Sequence, residues 1–231
     1  MKSCYACQNP ATSREHVPPK CLFPEQKDAA GGADLRLNLI TVPSCADHNL
    51  HKAGDDEYFL YVLSLSITSN AIAQEQVRTK LARAINRRPA LVNSILDCSE
   101  DCHVADSATG QIHEAVQVGL DGTRFQKTLE LVARGIYCHH FNERWDGALR
   151  VHADWVAFPQ EPNAPEIDAN RVVLATNADK LFLNTPKQAT SPDVFWYQVH
   201  EPPERLRCLI RLGFYGDSKA CAFFGEMDVR G

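Results

Sequence analysis

Four residues near the start of the chain have the types and spacing of zinc ligands. Cys4 and Cys7 form a Cys-x-x-Cys pair, Cys45 and His48 form a Cys-x-x-His pair, and 37 residues lie between the two pairs. Thiolate sulfur and imidazole nitrogen are donors that zinc favours, and two such pairs complete a closed tetrahedral site with three Cys and one His, the usual structural arrangement. If zinc takes those four, other polar residues of the same stretch are left for chemistry. They stand in Arg14-Glu15-His16-Val17-Pro18, in Asn38-Leu39-Ile40-Thr41-Val42-Pro43, and at Asn49 directly after the last ligand. An imidazole titrates near neutral pH, so His16 is suited to take a proton from water.

The elements that must position these residues are short. Strands are expected around Arg14 to Val17 and over Leu37 to Val42, where alternation and β-branched residues favour extended backbone. Gln26 to Asp34, small and Gly-rich, reads as a loop between them. Pro43-Ser44 offers a helix start, with Ser44 as N-cap and Asp47 in the first turn. The expected local order is strand, loop, strand, helix. About fifty polar, Gly-rich residues bury little apolar surface, which gives a metal tying their two ends together an obvious structural use.

Residues 1–60 are therefore expected to form one module, and 61–231 an α+β region, helical over 61–145 and strand-rich over 146–231. Apolar residues from Phe59 to Ile85 predict one or two helices between Asp55 and Arg88, stopped by Pro89. Phe125 to Arg144 predicts another. Strands are expected at Val151 to Phe158, Arg171 to Thr176, Val194 to His200, Arg207 to Phe214 and Ala220 to Phe224, as an antiparallel sheet packed on helices. The fold class is α+β.

At 231 residues, 44% hydrophobic and 23% charged, the chain has the composition of a folded soluble protein. No run approaches the about 18 apolar residues of a membrane span, and the N-terminus carries no apolar signal region. Nine cysteines, an odd number, fit reduced thiols, and a cytoplasmic location is expected. A net charge of -5 excludes coating nucleic acid by bulk electrostatics, so any polyanion site must be local. Candidate phosphate contacts are Lys20 and Lys52, and the basic stretch Arg78, Lys80, Arg83 and Arg87. Cys98-x-x-x-Cys102-His103 and Cys138-His139-His140 lack a complementary ligand pair and read as core or surface residues.

Taken together, Cys-x-x-Cys, Glu-His-Val-Pro-Pro, Asn-Leu-Ile-Thr-Val-Pro and Cys-x-x-His-Asn resemble the HNH endonucleases, the ββα-metal family. The resemblance implies a zinc-stabilised ββα-metal module at the N-terminus and metal-dependent hydrolysis of phosphodiester bonds, in DNA more than RNA. It implies His16 as general base, Asn38 holding His16 from the neighbouring strand, and Glu15 and Asn49 as oxygen ligands for a catalytic Mg2+ or Mn2+. The motif's third His is Asn49 here, an H-N-N variant. That departure and the acidic total charge suggest one alternative, a catalytically silent, zinc-stabilised nucleic-acid-binding module; the otherwise unexplained region 61–231 suggests another, a toxin or antiphage effector nuclease activated by a protein partner. Cutting both strands with one active site per chain would make a homodimer attractive.

Overall fold

In the computed structural model, which describes residues 2–87, 99–105, 109–156, 163–201 and 208–225, the metal-ligand spacing brackets a small two-stranded sheet. Strand β1 (Ser13–His16) pairs antiparallel with β2 (Thr41–Ser44), setting Glu15 opposite Val42 and His16 opposite Thr41. The expected second strand starts later than its β-branched run suggested, because Asn38 adopts a left-handed backbone (φ 53°) that turns the chain before Thr41. The Gly-rich loop contains short 3-10 turns at Lys20–Leu22, Gln26–Asp28 and Ala30–Gly32.

Helix α1 (Ala53–Leu65) also starts later than Pro43-Ser44 predicts. Ser44 ends β2, and after a bend at Ala46 residues 47–52 form consecutive turns in which the Asn49 and Leu50 N–H groups donate to the Ala46 carbonyl. That tight turn brings Cys45 and His48 to one point, which a regular helix starting at Ser44 is not needed to do. Asp55 and Asp56 occupy the first turn of α1, where the helix dipole favours anions.

Helix α2 (Ala71–Gln76) is capped by the Asn70 side chain, which accepts from the Ile72 and Ala73 N–H groups, and passes through a π-helical turn (Val77–Leu81) into α3 (Ala82–Arg87). Arg88, Pro89 and Cys98 lie outside the described residues. A hairpin of β3 (Glu100–Ala105) and β4 (Ile112–Gln117) follows. Its charged, half-apolar sequence gave no strand signal. Helix α4 (Gly122–Phe141) is capped by Asp121 and ends at a left-handed Asn142, φ 54°.

The larger sheet contains β5 (Leu149–Ala153), β6 (Gln188–Ser191), β7 (Phe195–His200), β8 (Cys208–Phe214) and β9 (Ser218–Phe224), all antiparallel in the order β5-β9-β8-β7-β6. Phe158 and Arg207, at the ends of two expected strands, lie outside the described residues. The expected strand Arg171 to Thr176 is instead the middle of helix α5 (Ala164–Phe182). Its β-branched run, Val172 and Val173, sits largely exposed on the helix, where tertiary context outweighs strand propensity.

Side chains of β8 and β9 alternate between two helical layers. Ile210, Leu212, Phe214, Ala220, Ala222 and Phe224 face the main core; Leu209, Cys221 and Phe223 face α5 at Ala178 and Phe182. Phe59 of α1 packs tilted against Phe125 of α4 and edge-to-face against Phe214 of β8, with ring centroids 5.3 and 5.5 Å apart. The same core takes in Tyr5, Val17, Leu22, Phe23 and Val42 from the N-terminal segment. The expected boundary near residue 60 falls inside α1, and a hydrophobic core runs across it. Among the described residues no helix is long and apolar enough to cross a membrane.

Val17, next to His16, is pressed onto α4 at Gly135: a Cβ added there would lie 2.5 Å from Val17 Cγ2 and 2.8 Å from Cγ1. In an open helix Gly135→Ala would gain about 1 kcal/mol of propensity. Here it should lower stability to urea by about 1–3 kcal/mol through overpacking. The loss in the Gly135→Ala/Val17→Ala double variant should be smaller than the sum of the single losses.

Candidate metal centre and its polar neighbours

The spacing argument for the four ligands is met by geometry. Cys45 Sγ lies 3.3 Å from His48 Nδ1, Cys4 Sγ 3.7 Å from the same nitrogen, and Cys7 Sγ 3.8 Å from Cys45 Sγ. All four donor atoms fall within 4.8 Å of one another. A tetrahedral ion with sulfur at about 2.3 Å and nitrogen at about 2.0–2.1 Å sets its donors about 3.5–3.8 Å apart. The cluster is close enough to hold a metal ion, and among the described residues no other group of Cys, His, Asp and Glu is.

Local bonds bring the two pairs together. In the Cys-x-x-Cys turn the Ala6 N–H points at Cys4 Sγ, 3.5 Å away, and the Cys4 N–H donates to the Asn9 carbonyl. The Tyr5 N–H donates to the Pro43 carbonyl, tying that turn to the strand that leads into Cys45. Arg144, beyond α4, donates to the Cys7 carbonyl at 2.8 Å. Burial pushes the Cys4 and Cys45 thiols up, but N–H groups around Cys4 and the His48 ring beside Cys45 bring both below their ordinary value. That is the direction that favours the metal-binding thiolate.

Asn49 is placed by the same turn. Its side-chain nitrogen donates to Ser13 Oγ at 2.8 Å and to the Arg14 carbonyl at 3.2 Å, strapping residues 45–52 onto β1. Glu15 is buried (6% exposed) and its Oε1 lies 2.8 Å from Lys52 Nζ. The same ammonium is 2.6 and 2.7 Å from the two Asp56 oxygens. Glu15 therefore faces a lysine rather than the Asn49 amide. Glu15 is thus engaged by Lys52, and the Asn49 amide by Ser13 and Arg14. Burial raises the Glu15 and Asp56 carboxyls, opposed by Lys52. Burial would lower Lys52, yet the two carboxylates outweigh it and hold the ammonium charged.

His16 is half-buried beside Tyr5, Lys52 and Thr128. Its pKa is lowered first by burial and then by the positive charges of Lys20, Arg36 and Lys52. The ring is therefore neutral at pH 7, with its neighbourhood positive. Arg36, which gave no signal in the sequence, joins this environment from the 3D course of the loop; its Nε donates to the Phe23 carbonyl. Asn38 is exposed, lines a cleft with residues 190–194, and makes no hydrogen bond to His16 among the described residues.

The expected phosphate contacts divide. Lys20 is exposed. Lys52 is turned inward to Glu15 and Asp56, and Lys80 is turned inward to the Cys21 carbonyl at 2.7 Å. Arg83 pairs with Asp28, Arg78 lies 3.5 Å from Glu75, and Arg87 donates to the Arg83 carbonyl. Within this stretch Lys80 is turned inward, while Arg78, Arg83 and Arg87 make their contacts at the surface.

Removing one partner of a buried charge cluster leaves the others uncompensated. Lys52→Met should cost about 3–5 kcal/mol at pH 7. With Lys52 gone, the folded-state pKa values of Glu15 and Asp56 rise further. A carboxyl raised on folding contributes stability that is lost as pH rises, so the deficit should shrink when urea denaturation is repeated at about pH 5. No family model matches the chain, and no curated protein or solved structure matches it.

Proposed function

We propose that this chain is a metal-stabilised nuclease of the HNH kind, with zinc in the Cys4, Cys7, Cys45 and His48 cluster and hydrolysis of phosphodiester bonds at His16. The observation that carries the reading is a half-buried imidazole held neutral in a cationic setting, one β-ladder away from a four-donor metal cluster. A neutral ring can take a proton from water, and the hydroxide so formed attacks phosphorus as the 3' oxygen leaves. Lys20 and Arg36 supply positive potential for the phosphate oxygens and the charge that develops on them. DNA is preferred over RNA on the resemblance of the motifs.

A catalytic Mg2+ or Mn2+ would polarise the phosphate. The residues the resemblance implies for it are Glu15 and Asn49, and Glu15 now faces the Lys52 ammonium. The same ion pair favours a second reading, in which the module binds nucleic acid without cutting, or cuts only after a protein partner engages the chain.

Plasmid cleavage by wild type and His16→Ala, each with EDTA, Mg2+ or Mn2+, separates these readings. Wild type should cut, and His16→Ala should lose about 100-fold or more while keeping its bound metal. A general base must be unprotonated, so activity should fall as pH drops through the lowered His16 value. The half-maximum should lie below the ordinary 6.5. Equal cutting by both proteins would remove His16 from the reaction; no cutting by either would favour the binding module or the partner-dependent effector.

A further inference from the structure

A hollow lined by the loop that carries Arg36 and Asn38 is built unlike this site. It holds about 430 Å³ between the loop 34–38 and the turn 190–194, within the size range of small-molecule sites. Its walls are fastened to each other and to the core. Ser191 Oγ donates to the Leu35 carbonyl at 3.1 Å, and the Asn70 side chain donates to the Asp193 carbonyl at 2.7 Å. The Asn70 N–H in turn donates to the Tyr215 carbonyl. The hollow is thus fixed by hydrogen bonds from two directions.

Its lining combines flat apolar surface with hydrogen-bond acceptors. Leu35, Leu37, Pro192 and Val194 supply the apolar part, and Leu37 is 62% exposed, open to a partner. Asp34 and Asp193 are the acidic residues of the lining, both exposed. One Asp34 oxygen accepts from the Arg36 N–H and the other is not committed by that bond. Two carboxylates repel phosphate, so the hollow is wrong for a nucleic-acid backbone. It is suited to an apolar ring that carries N–H donors. Position adds to chemistry: the Val17 N–H donates to the Ile40 carbonyl, and Asn38 of the cleft is two residues from Ile40. Two Cα steps and one ladder step keep Asn38 within roughly 13 Å of the end of β1. Arg36 belongs to the same loop, so that one loop carries a cation for the backbone and a wall for a base.

We propose that this cleft seats an unpaired nucleobase bearing an exocyclic amine, next to the phosphodiester at His16. Cytosine, adenine and guanine offer amine donors to Asp34 or Asp193, whereas thymine and uracil set two carbonyl oxygens around their one N–H against those carboxylates. The cleft thereby selects single-stranded or locally unpaired strands, since a base stacked and paired within a duplex cannot lay its ring against the cleft's apolar wall. This rests on the nuclease reading for its position in a reaction, but not for the binding itself.

The test has two arms. In the first, wild type, Asp34→Asn and Asp193→Asn are given end-labelled single-stranded and duplex DNA of mixed sequence, and the cuts are mapped. Wild type should prefer single strands and an amine-bearing base at one fixed position by at least about fivefold, and either variant should flatten that preference. Cutting with no base preference in wild type would overturn the proposal. In the second arm, deoxycytidine and thymidine, which carry no phosphate, are titrated into wild type and Asp193→Asn and followed by saturation-transfer NMR. Contact with deoxycytidine that exceeds thymidine and is lost in the variant upholds the cleft even if no nucleic acid is cut, in which case only the nuclease reading has failed. Equal signals from the two nucleosides would overturn the cleft.

Discussion

The four-donor cluster of Cys4, Cys7, Cys45 and His48 is the constraint on which the placement of Glu15, His16, Asn49 and Lys52 depends. The segment between the pairs forms two four-residue strands and a loop of short turns. A two-stranded hairpin is marginal by itself in water. Two things hold it: the apolar residues that it lends to the main core, chiefly Tyr5, Val17 and Phe23, and the point at which its ends meet. A metal bound there removes loop-closure freedom from the unfolded chain and fixes the register that sets His16 opposite Thr41. The turn that presents Cys45 and His48 also presents Asn49 to β1 and Lys52 to Glu15, so ligand geometry and the polar site are consequences of one turn.

Charge is sorted finely around that turn. Buried Lys52 is spent on Glu15 and Asp56, while exposed Lys20 and the partly buried Arg36 remain within electrostatic reach of His16. A carboxylate of the same loop, Glu25, lies 3.6 Å from Arg36, and Asp34 and Asp193 line the cleft beyond it. A chain with a net charge of -5 thus arranges a local positive field beside a local negative one. That arrangement suits a polyanion whose backbone and bases are to be held in different places.

The metal ligands were legible because metal geometry restricts their types and spacing more tightly than any propensity does. Helix α4 and strands β7, β8 and β9 were legible from apolar periodicity, since each buries a regular face. What escaped was set by long-range context. The Val172-Val173 run looked extended but rides on the outside of α5, and the β3–β4 hairpin buries too little to leave a pattern. The start of α1 moved from Ser44 to Ala53 because the ligand turn came first. For the site, the sequence supplied His16 and Glu15 but could not say which way their neighbours point. Lys52 and Lys80 read as surface cations and are turned inward, Asn38 reads as a partner of His16 and lies in the cleft, and Arg36 carried no signal.

The central claim is that a metal with three sulfur donors and one nitrogen donor organises this N-terminal segment. Metal quantification with X-ray absorption at the zinc edge, on the purified full chain, tests it most directly. The account predicts one zinc per chain, with three sulfurs at about 2.3 Å and one nitrogen at about 2.0–2.1 Å. A folded protein without zinc, or zinc in a shell of oxygen and nitrogen alone, would contradict it.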